Sequence, residues 1–517
     1  MMDRKTALPL FYLRGVVLTL LFTVFYLCRP GMAADVSTST QNDGYAAPLT
    51  EDFSKLSWSG SFEKLHKKIS CEYAFTDWKK IDWEYLYKKT RPKIDNAQKS
   101  NDFTAYYLAL KEYLFSIPDG HVRMTSIYEI DNKFIGGGFG FSAVKLSDGK
   151  LIANWVDRSG EAYAKGMRPG AEIIEWDGRH VEDVLNKVPV IFGYNPATDE
   201  VLVNQKVRYL TRAPINTSAT ITFSNIDRSI EKISLCSYDD KGLSLRKNYP
   251  DCILSDGLRD LILDVKDPQD PPVSMVEKKF LTGNIGYIRL WGEIDLDLNG
   301  IGKAPSTLGL FRKALNEFKK AKVRGLILDI RNNVGGLDSM VADILASFYT
   351  EKVLYEYQNS YNTVTGKMEI RPDLSVKTSQ SDQGLYINPA APYFNGPVVA
   401  LINSKCVSSG EGLAKGINNL LQGETVGFYG TNGSFGLAGD EAKISGNIVV
   451  HWPYGQSLDK DKKVQIDSRN GKGGVSPSIR IPMTLNNALK ISEGVDVELE
   501  QAIEVINSYT GERAGEI

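Results

Sequence analysis

The amino-acid sequence predicts an α/β protein in which a helical segment and a β-rich module precede the core. Three observations lead to this fold class. Aromatic-rich helical sequence fills residues 50–130, short strands punctuated by glycine follow from Gly136, and strands alternate with helices beyond residue 275. Alternation of this last kind is typical of α/β cores. The length of 517 residues suits about three domains.

The N-terminus has the pattern of a secretory signal. Basic residues precede an apolar run from Val16 to Cys28, and small residues follow up to Ala34. This run of about thirteen residues is shorter than the ~20 that a membrane span needs. We therefore expect residues 1–34 to be a signal peptide and the protein to be exported, periplasmic or secreted. A retained, membrane-anchored signal is the alternative.

The charge balance restricts the classes of partner. The chain has 61 basic and 63 acidic residues, for a formal net charge of −2. Such a chain lacks the electrostatic footprint of a nucleic-acid or lipid-surface protein. We therefore expect no nucleic-acid partner, and membrane contact only through a retained signal.

Residues 50–130 predict an N-terminal helical domain. Its clearest helix spans Asp102–Phe115 and is rich in aromatic residues. A polar turn, Asp119-Gly120-His121, follows and carries one of the four histidines in the chain. By itself, a lone histidine in a turn is more often a surface or packing residue.

Residues 135–225 resemble a PDZ domain. The order of motifs is a glycine-aromatic loop, a strand, a short helix and a further strand, at Gly138-Phe139-Gly140-Phe141, Leu151–Val156, 162–166 and 172–176. Backbone N–H groups of such a loop can hold the C-terminal carboxylate of a peptide. We therefore expect the four loop residues to bind peptide, the alternative being a structural module without a ligand.

Residues 226–274 are polar, end in a proline-rich stretch, and predict a linker. Cys236 and Cys252 lie within it, close in sequence. Because exported chains permit disulfides, we expect these two cysteines to pair, although spacing alone leaves other connectivities open. No C-x-x-C motif or His/Cys cluster suggests a structural metal site, so no metal is expected.

Residues 275–517 predict the α/β core. Strands are expected at Ile285–Leu290, Gly325–Ile330 and Pro397–Asn403, and helices at Ser306–Ala321, Met340–Tyr349, Ser409–Leu421 and Val497–Tyr509. The last of the three strands runs through a small-residue turn into a helix that begins near Ser408. Exposed N–H groups and the dipole at a helix N-terminus favour developing negative charge, which suits a nucleophile. The spacing Ser408-x-x-Glu411 is also that of a capping box, which needs no catalysis.

The strand at 325–330 opens into a glycine-rich turn that ends in Gly335 and Gly336. Adjacent glycines let backbone N–H groups approach a ligand closely, as an oxyanion hole requires. The alternative for this segment alone is a tight strand-to-helix turn.

Three motifs, GLILDIRNNVGG at 325–336, GPVVALINSKCVSSGEGLAKGI at 396–417 and GGVSPSIRIP at 473–482, resemble those of the tail-specific or C-terminal processing peptidases, the S41-type serine proteases. That family also places a PDZ-like domain ahead of its core, and the resemblance covers roughly residues 100–505. It implies a ββα superhelix-like protease core, polypeptide substrates and no cofactor. It makes Ser408 the nucleophile, with an oxyanion hole from the N–H groups of Gly335 or Gly336 and of Ser409.

The family has two catalytic designs, one of which takes a lysine base from a TFGKG motif. The corresponding segment 434–438 has Leu437 at the lysine position, and leucine cannot accept a proton. Lys415 and Lys443 lie outside the motif. The other design, that of tricorn-like and chlamydial-type members, takes a histidine from a DGH turn, which makes His121 the general base. His451 is the reserve base.

The resemblance places the orienting acid before the terminal motif, where the glutamate of other members is not obvious. Asp467 is the best candidate, with Gln465 on the same face of a short strand as a reserve. The overall expectation is an exported serine endopeptidase that recruits polypeptides, in part through their C-termini. The alternatives to this function are an inactive peptide- or lipid-binding protein on the same fold and a Ser–Lys peptidase. A homodimer is compatible with the sequence.

Overall fold

A computed structural model describes residues 50–253, 274–298, 303–371 and 384–509. The expected signal peptide, at 1–34, lies outside the described residues. None of the helices within the described ranges combines the length and the apolar character of a membrane span.

Helices form an N-terminal layer over a sheet that later parts of the chain complete. The elements of this layer are β1 (Glu51–Asp52), α1 (Trp58–Glu72), α2 (Thr76–Lys79), α3 (Trp83–Ser100), α4 (Phe103–Leu114), β2 (Arg123–Met124) and α5 (Tyr128–Ile135). The helix predicted at 102–115 is confirmed, since Asp102 is the N-cap of α4 and accepts a hydrogen bond from Ala105 N–H. The aromatic side chains of the layer share one core with Val450 and Trp452 of the sheet below.

A β-rich module follows, and its sheet has the order β10-β9-β6-β5-β4, with β7 on β6. Its elements are β3 (Gly137–Gly138), β4 (Phe141–Lys145), β5 (Leu151–Val156), α6 (Glu161–Ala164), β6 (Ala171–Trp176), β7 (Arg179–His180), α7 (Val181–Leu185), α8 (Asp199–Leu210), β8 (Arg212–Ala213), β9 (Ser218–Ser224), β10 (Ile230–Cys236), α9 (Leu243–Arg246) and a 3-10 helix, Asp251–Ile253.

The structure corrects two expectations for residues 226–274. Part of this predicted linker is strand β10, which pairs with β9 and places Ile233 and Leu235 in the core of the module. The predicted disulfide is not formed, because Cys236 is exposed at the end of β10 while Cys252 packs against a different core cluster, and both thiols are free. The proline-rich end of the linker lies outside the described residues.

The rest of the chain builds two sheets. Its elements are β11 (Val276–Leu281), β12 (Ile285–Leu290), α10 (Thr307–Lys320), β13 (Leu326–Asp329), α11 (Asp338–Leu345), β14 (Val353–Asn362), β15 (Lys367–Ile370), β16 (Gly384–Ile387), β17 (Val398–Leu401), α12 (Ser409–Asn418), β18 (Gly423–Gly427), β19 (Gly436–Ile444), β20 (Ile448–Leu458), β21 (Ile479–Arg480), α13 (Leu485–Ser492) and α14 (Val497–Ser508). One sheet has the order β1-β19-β20-β14-β15, and β2 and β16 also pair with it.

The other sheet is central and has the order β11-β12-β13-β17-β18-β21. All of its pairs are parallel except β11 with β12. Helices α10, α11 and α12 pack on one face, and α13 and α14 pack on the other together with apolar residues of β4 and β5. Because both faces are covered, the inner strands β12, β13 and β17 are fully buried and mainly apolar. The resulting mixed α/β architecture with an N-terminal helical layer agrees with the predicted fold class.

A buried charge cluster connects the central sheet to the last helix. Arg331, which follows β13 and is 1% exposed, lies 2.6 Å from Asp329, 2.7 Å from Asp496 and 2.9 Å from Glu498. Of these partners, Asp496 is the N-cap of α14 and Glu498 lies in its first turn. The cluster therefore holds the C-terminal helix against the sheet.

We expect Arg331→Met to lower the free energy of unfolding by about 3–5 kcal/mol, since it leaves buried carboxylates without their cation. Arg312→Met is the matched control, because that arginine is 34% exposed and 3.7 Å from Asp343, and it should cost less than about 1 kcal/mol. Urea unfolding measures both. Equal losses in the two variants would show that the cluster does not stabilise the fold.

Candidate active site

Two loops meet at the carboxyl edge of the central sheet. Strands β13 and β17 are parallel neighbours, with Asp329 opposite Leu401, so the loops that follow them leave the sheet side by side. Val407 N–H donates to the Asn333 carbonyl at 3.1 Å, and the Ser409 hydroxyl donates to the Gly336 carbonyl at 3.0 Å. The predicted nucleophile turn and the predicted glycine turn are therefore in contact.

The backbone of Ser408 is strained. Its φ of 58° and ψ of −133° are values that residues with a side chain rarely adopt, and it immediately precedes α12. In α/β-hydrolases, a sharp strand-to-helix turn of this kind exposes the nucleophilic serine. Ser408 is half-buried, so its hydroxyl is neither sealed in the core nor freely exposed.

The glycine turn fits closely against Ser408. A Cβ atom at Gly335, where φ is +79°, would lie 2.6 Å from Ser408 Cβ and 3.2 Å from its Oγ. The Gly335 N–H donates to Asn333 Oδ1 at 2.8 Å. By contrast, the N–H groups of Gly336 and Ser409 donate to no acceptor among the described residues. Of the two expected glycines, Gly336 is therefore the one whose N–H can stabilise an oxyanion together with Ser409.

Glu411 connects the nucleophile turn to the loop at 431–435. Its buried carboxylate accepts hydrogen bonds from Ser408 N–H (3.2 Å), Ser434 N–H (2.9 Å), Thr431 Oγ1 (2.6 Å) and Gly433 N–H (2.7 Å). Burial raises the pKa of Glu411 to about 7, and the hydrogen bonds from the loop oppose this rise. The capping residue expected from the sequence thus also binds a second loop.

Ser434 connects the nucleophile turn to the turn that carries His121. Its carbonyl accepts from Ser408 N–H at 3.0 Å, and its hydroxyl oxygen accepts from Gly120 N–H at 2.7 Å. A Cβ at Gly120 would lie 2.6 Å from Asn432 Oδ1, so a larger residue would displace the Asn432 side chain. The base turn and the nucleophile turn are therefore both hydrogen-bonded to one residue.

His121 is 9% exposed and lies beside Asp119. Its backbone N–H donates to Asp119 Oδ1 at 2.9 Å, and its ring Nδ1 lies 3.6 Å from the same oxygen. Burial opposes the charge on this carboxylate, but Lys79 and His121 together hold the pKa of Asp119 below its usual range. Asp119 is thus the carboxylate nearest the imidazole.

Asp467, the predicted orienting acid, makes other contacts. Its Oδ2 accepts from Phe435 N–H at 2.9 Å, and its Oδ1 lies 2.8 Å from Lys79 Nζ. Lys79 therefore stands between Asp467 and Asp119. The sequence offered a signal for Asp119, which belongs to the same turn as His121, but none for Lys79.

Asp338 is a further acidic residue that the sequence did not single out. It is half-buried at the start of α11, directly after the glycine turn, and its Oδ1 accepts from the Tyr355 hydroxyl at 3.1 Å. Burial raises the pKa of Asp338 to about 6, while hydrogen bonds from Ser409 and Tyr355 and the charge of His121 oppose the rise. Its place beside the glycine turn is the signal that could have found it.

Residues 284–481 match the model of peptidase family S41. This segment is therefore similar to a family of serine peptidases, and the match confirms the resemblance in the three motifs.

Solved structures agree with this fold. The structure of mature CPAF matches at a TM-score of 0.60 and 15% identity, covering 88% of this chain and 98% of that one. The structure of mature CPAF complexed with lactacystin matches at a TM-score of 0.59 and 14% identity, covering 87% of this chain and 99% of that one. At these identities the likeness shows the fold alone. No curated protein sequence matches the chain.

The reserve residues Gln465 and His451 contact side chains other than that of Ser408. Gln465 Oε1 accepts from Lys415 Nζ at 2.5 Å, and its Nε2 donates to Ser457 Oγ at 2.8 Å. His451 lies in β20, where its Nδ1 is 3.2 Å from Glu441 Oε1. Lys415 is seven residues beyond Ser408 along α12, roughly 10 Å at 1.5 Å per residue. The contacts of Lys415 and His451 given by the structure are thus with Gln465 and Glu441 and not with Ser408.

The predicted peptide-binding loop is occupied by the chain itself. Gly138 N–H donates to the Tyr238 carbonyl at 2.9 Å, and Tyr238 N–H donates back at 3.0 Å. The side chains of Phe139 and Phe141 are buried in the core of the module. Beyond Gly140, on the adjacent strand β4, the Ala143 carbonyl accepts from Asn248 Nδ2 at 2.7 Å.

Residues 238–248 thus pair with part of the groove expected to bind a C-terminus, while the N–H groups of Phe139 and Gly140 donate to no acceptor among the described residues. The ion pair of Asp240 and Arg212, 2.7 Å apart, also lies against Gly138 and fills the space beside it. Within the described part of the chain, no group of three or more His, Cys, Asp or Glu side chains could hold a metal ion.

The fit of the glycine turn gives a direct prediction. We expect Gly335→Ala to reduce labelling of the protein by a fluorophosphonate at least about 100-fold, because the new methyl group overlaps Ser408 and disturbs the adjacent oxyanion donors. Gly149→Ala is the matched control, since Gly149 also has positive φ, +94°, but has no atom within 4 Å of an added Cβ.

The control variant should lose about 1–2 kcal/mol of stability from backbone strain and keep its labelling rate. Labelling rates and thermal unfolding of both variants check this. Equal labelling by the two would contradict the proposed contact between the glycine turn and the nucleophile.

Proposed function

We propose that this protein is an exported serine endopeptidase that cleaves polypeptides through an acyl-enzyme on Ser408, with His121 as the general base. The observation that supports it most is the convergence at Ser408. Around this loop lie the strained serine, two N–H groups that have no acceptor among the described residues, and the histidine turn, all from distant parts of the sequence.

Ser408 Oγ would attack the carbonyl carbon of the scissile peptide bond, and its proton would pass to the His121 imidazole. The carbonyl oxygen becomes an oxyanion, which the N–H groups of Gly336 and Ser409 stabilise. His121 then gives the proton to the leaving amine as the C–N bond breaks. Water, activated by the same imidazole, hydrolyses the acyl-enzyme and restores Ser408.

Asp119 is the acid that we propose for the base, in place of the direct Asp467 contact expected from the sequence. Its carboxylate lies 3.6 Å from His121 Nδ1. A carboxylate at this position stabilises the imidazolium that forms during attack and selects the tautomer whose other nitrogen accepts the Ser408 proton. Asp467 contributes through Lys79 and through Phe435 N–H.

We expect Ser408→Ala and His121→Ala each to lower casein cleavage and fluorophosphonate labelling at least about 10³-fold, since they remove the nucleophile and the base. The matched controls are Ser409→Ala, which keeps its backbone N–H, and His451→Ala, which removes the reserve base. Both should retain labelling within about tenfold.

Labelling that survives Ser408→Ala would overturn the proposal. Activity that survives His121→Ala would point to a Ser–Lys peptidase. A protein that neither labels nor cleaves would favour the alternative of a peptide- or lipid-binding protein on the same fold.

Export is proposed from residues 1–34 alone. Mass spectrometry of the protein recovered from a secreting host should give an N-terminus near Asp35. An intact Met1 would contradict cleavage of the signal and favour the membrane-anchored alternative.

A further inference from the structure

A lysine is enclosed behind the His121 turn. Lys79 ends the short helix α2, and its side chain is 2% exposed. Its Nζ lies 2.8 Å from Asp467 Oδ1 and 3.3 Å from Asp119 Oδ2, and it donates to the Pro118 carbonyl at 2.8 Å and to Ser468 Oγ at 3.2 Å. Every one of these contacts belongs to one of the two segments that flank the base.

The two carboxylates depend on this one ammonium group. Both have 0% side-chain exposure, and among the described residues no other lysine or arginine forms an ion pair with either. A buried carboxylate without a cation takes up a proton, because burial penalises its charge. Even with Lys79 present, burial and the neighbouring Asp119 raise the pKa of Asp467 to about 6.

We infer that Lys79 is a positioning residue for the general base, which acts by keeping Asp119 ionised and in place beside His121. The inference rests on the proposed roles of Ser408 and His121. Lys79 also links the helical layer to Asp467, whose other oxygen binds Phe435 N–H in the loop that holds Ser408. Through these buried contacts, Lys79 links the turn that carries His121 to the loop that is hydrogen-bonded to Ser408.

The groups around this unit define its electrostatics. Tyr73 donates its hydroxyl hydrogen to Asp119 Oδ2 at 2.8 Å and stays neutral, because burial and Asp119 raise its pKa. Asp338, which follows the glycine turn, interacts electrostatically with His121, and Glu411 does so with Asp467. These neighbours are acidic or neutral, so none of them replaces the charge of Lys79.

The sign of the pH effect follows from this arrangement. Activity needs an ionised Asp119, and a nearby cation favours the loss of its proton. Removing Lys79 makes that loss harder. The acidic limb of the rate profile should therefore move to higher pH.

The test is the rate of fluorophosphonate labelling as a function of pH in full-length protein. We expect Lys79→Met to lower the rate at neutral pH at least about tenfold and to move the acidic limb upward by about one pH unit. The matched control is Lys111→Met. Lys111 is 3% exposed, lies in the same helical layer and pairs with Asp131 at 2.8 Å. Its loss should reduce thermal stability and leave the shape of the profile unchanged.

Two further variants keep the inference testable if Lys79→Met folds poorly. Lys79→Arg retains the charge and should retain the position of the acidic limb. Asp119→Asn should lower the labelling rate more than Asp467→Asn, since only the former faces His121 directly.

A profile of Lys79→Met that matches that of the unsubstituted protein, a shift shared with Lys111→Met, or a larger loss in Asp467→Asn would overturn the inference while leaving the proposed function intact. An unsubstituted protein that does not label would overturn the proposed function and the inference with it.

Discussion

The buried carboxylate of Glu411 is the interaction on which the arrangement of the site depends. It binds the N–H of Ser408 on one side and the N–H groups of Gly433 and Ser434 on the other. No lysine or arginine pairs with it in the described part of the chain, so these N–H groups and the Thr431 hydroxyl offset its desolvation. Ser434 in turn receives Gly120 N–H. The nucleophile turn and the base turn are therefore held together through the hydrogen bonds of one buried carboxyl group.

Much of the site could be predicted from the sequence because its parts are local. Two turns that follow neighbouring parallel strands converge by topology, which places Ser408 against the glycine turn. The acid could not be predicted in the same way. Asp119 holds its charge next to His121 because Lys79, forty residues earlier, is buried against it. We assign the oxyanion donor to Gly336 and not to Gly335 because the Gly335 N–H donates to the Asn333 side chain. No sequence motif encodes this hydrogen bond.

The difference between local sequence patterns and long-range contacts also decides which parts of the fold could be predicted. The central strands are buried on both faces, so their apolar runs mark them, and the strand predicted at Ile285–Leu290 has those bounds. Strand β10 has only part of its residues in a core and a polar outer face, so its sequence has the character of a linker. The occupation of the peptide loop by residues 238–248 depends on tertiary pairing between Gly138 and Tyr238, which no local pattern reveals. The resemblance to a PDZ domain predicted a module there, and the pairing decides what that module can bind.

The measurement that tests this account most directly is a crystal structure of the protein inactivated by a small phosphonate. The account predicts phosphorus bonded to Ser408 Oγ, with its oxygen within hydrogen-bond distance of the N–H groups of Gly336 and Ser409. It also predicts the His121 ring beside Ser408 Oγ and the Asp119–Lys79–Asp467 contacts intact behind it. An adduct on another residue, or an adduct on Ser408 with His121 directed away from it, would contradict the account.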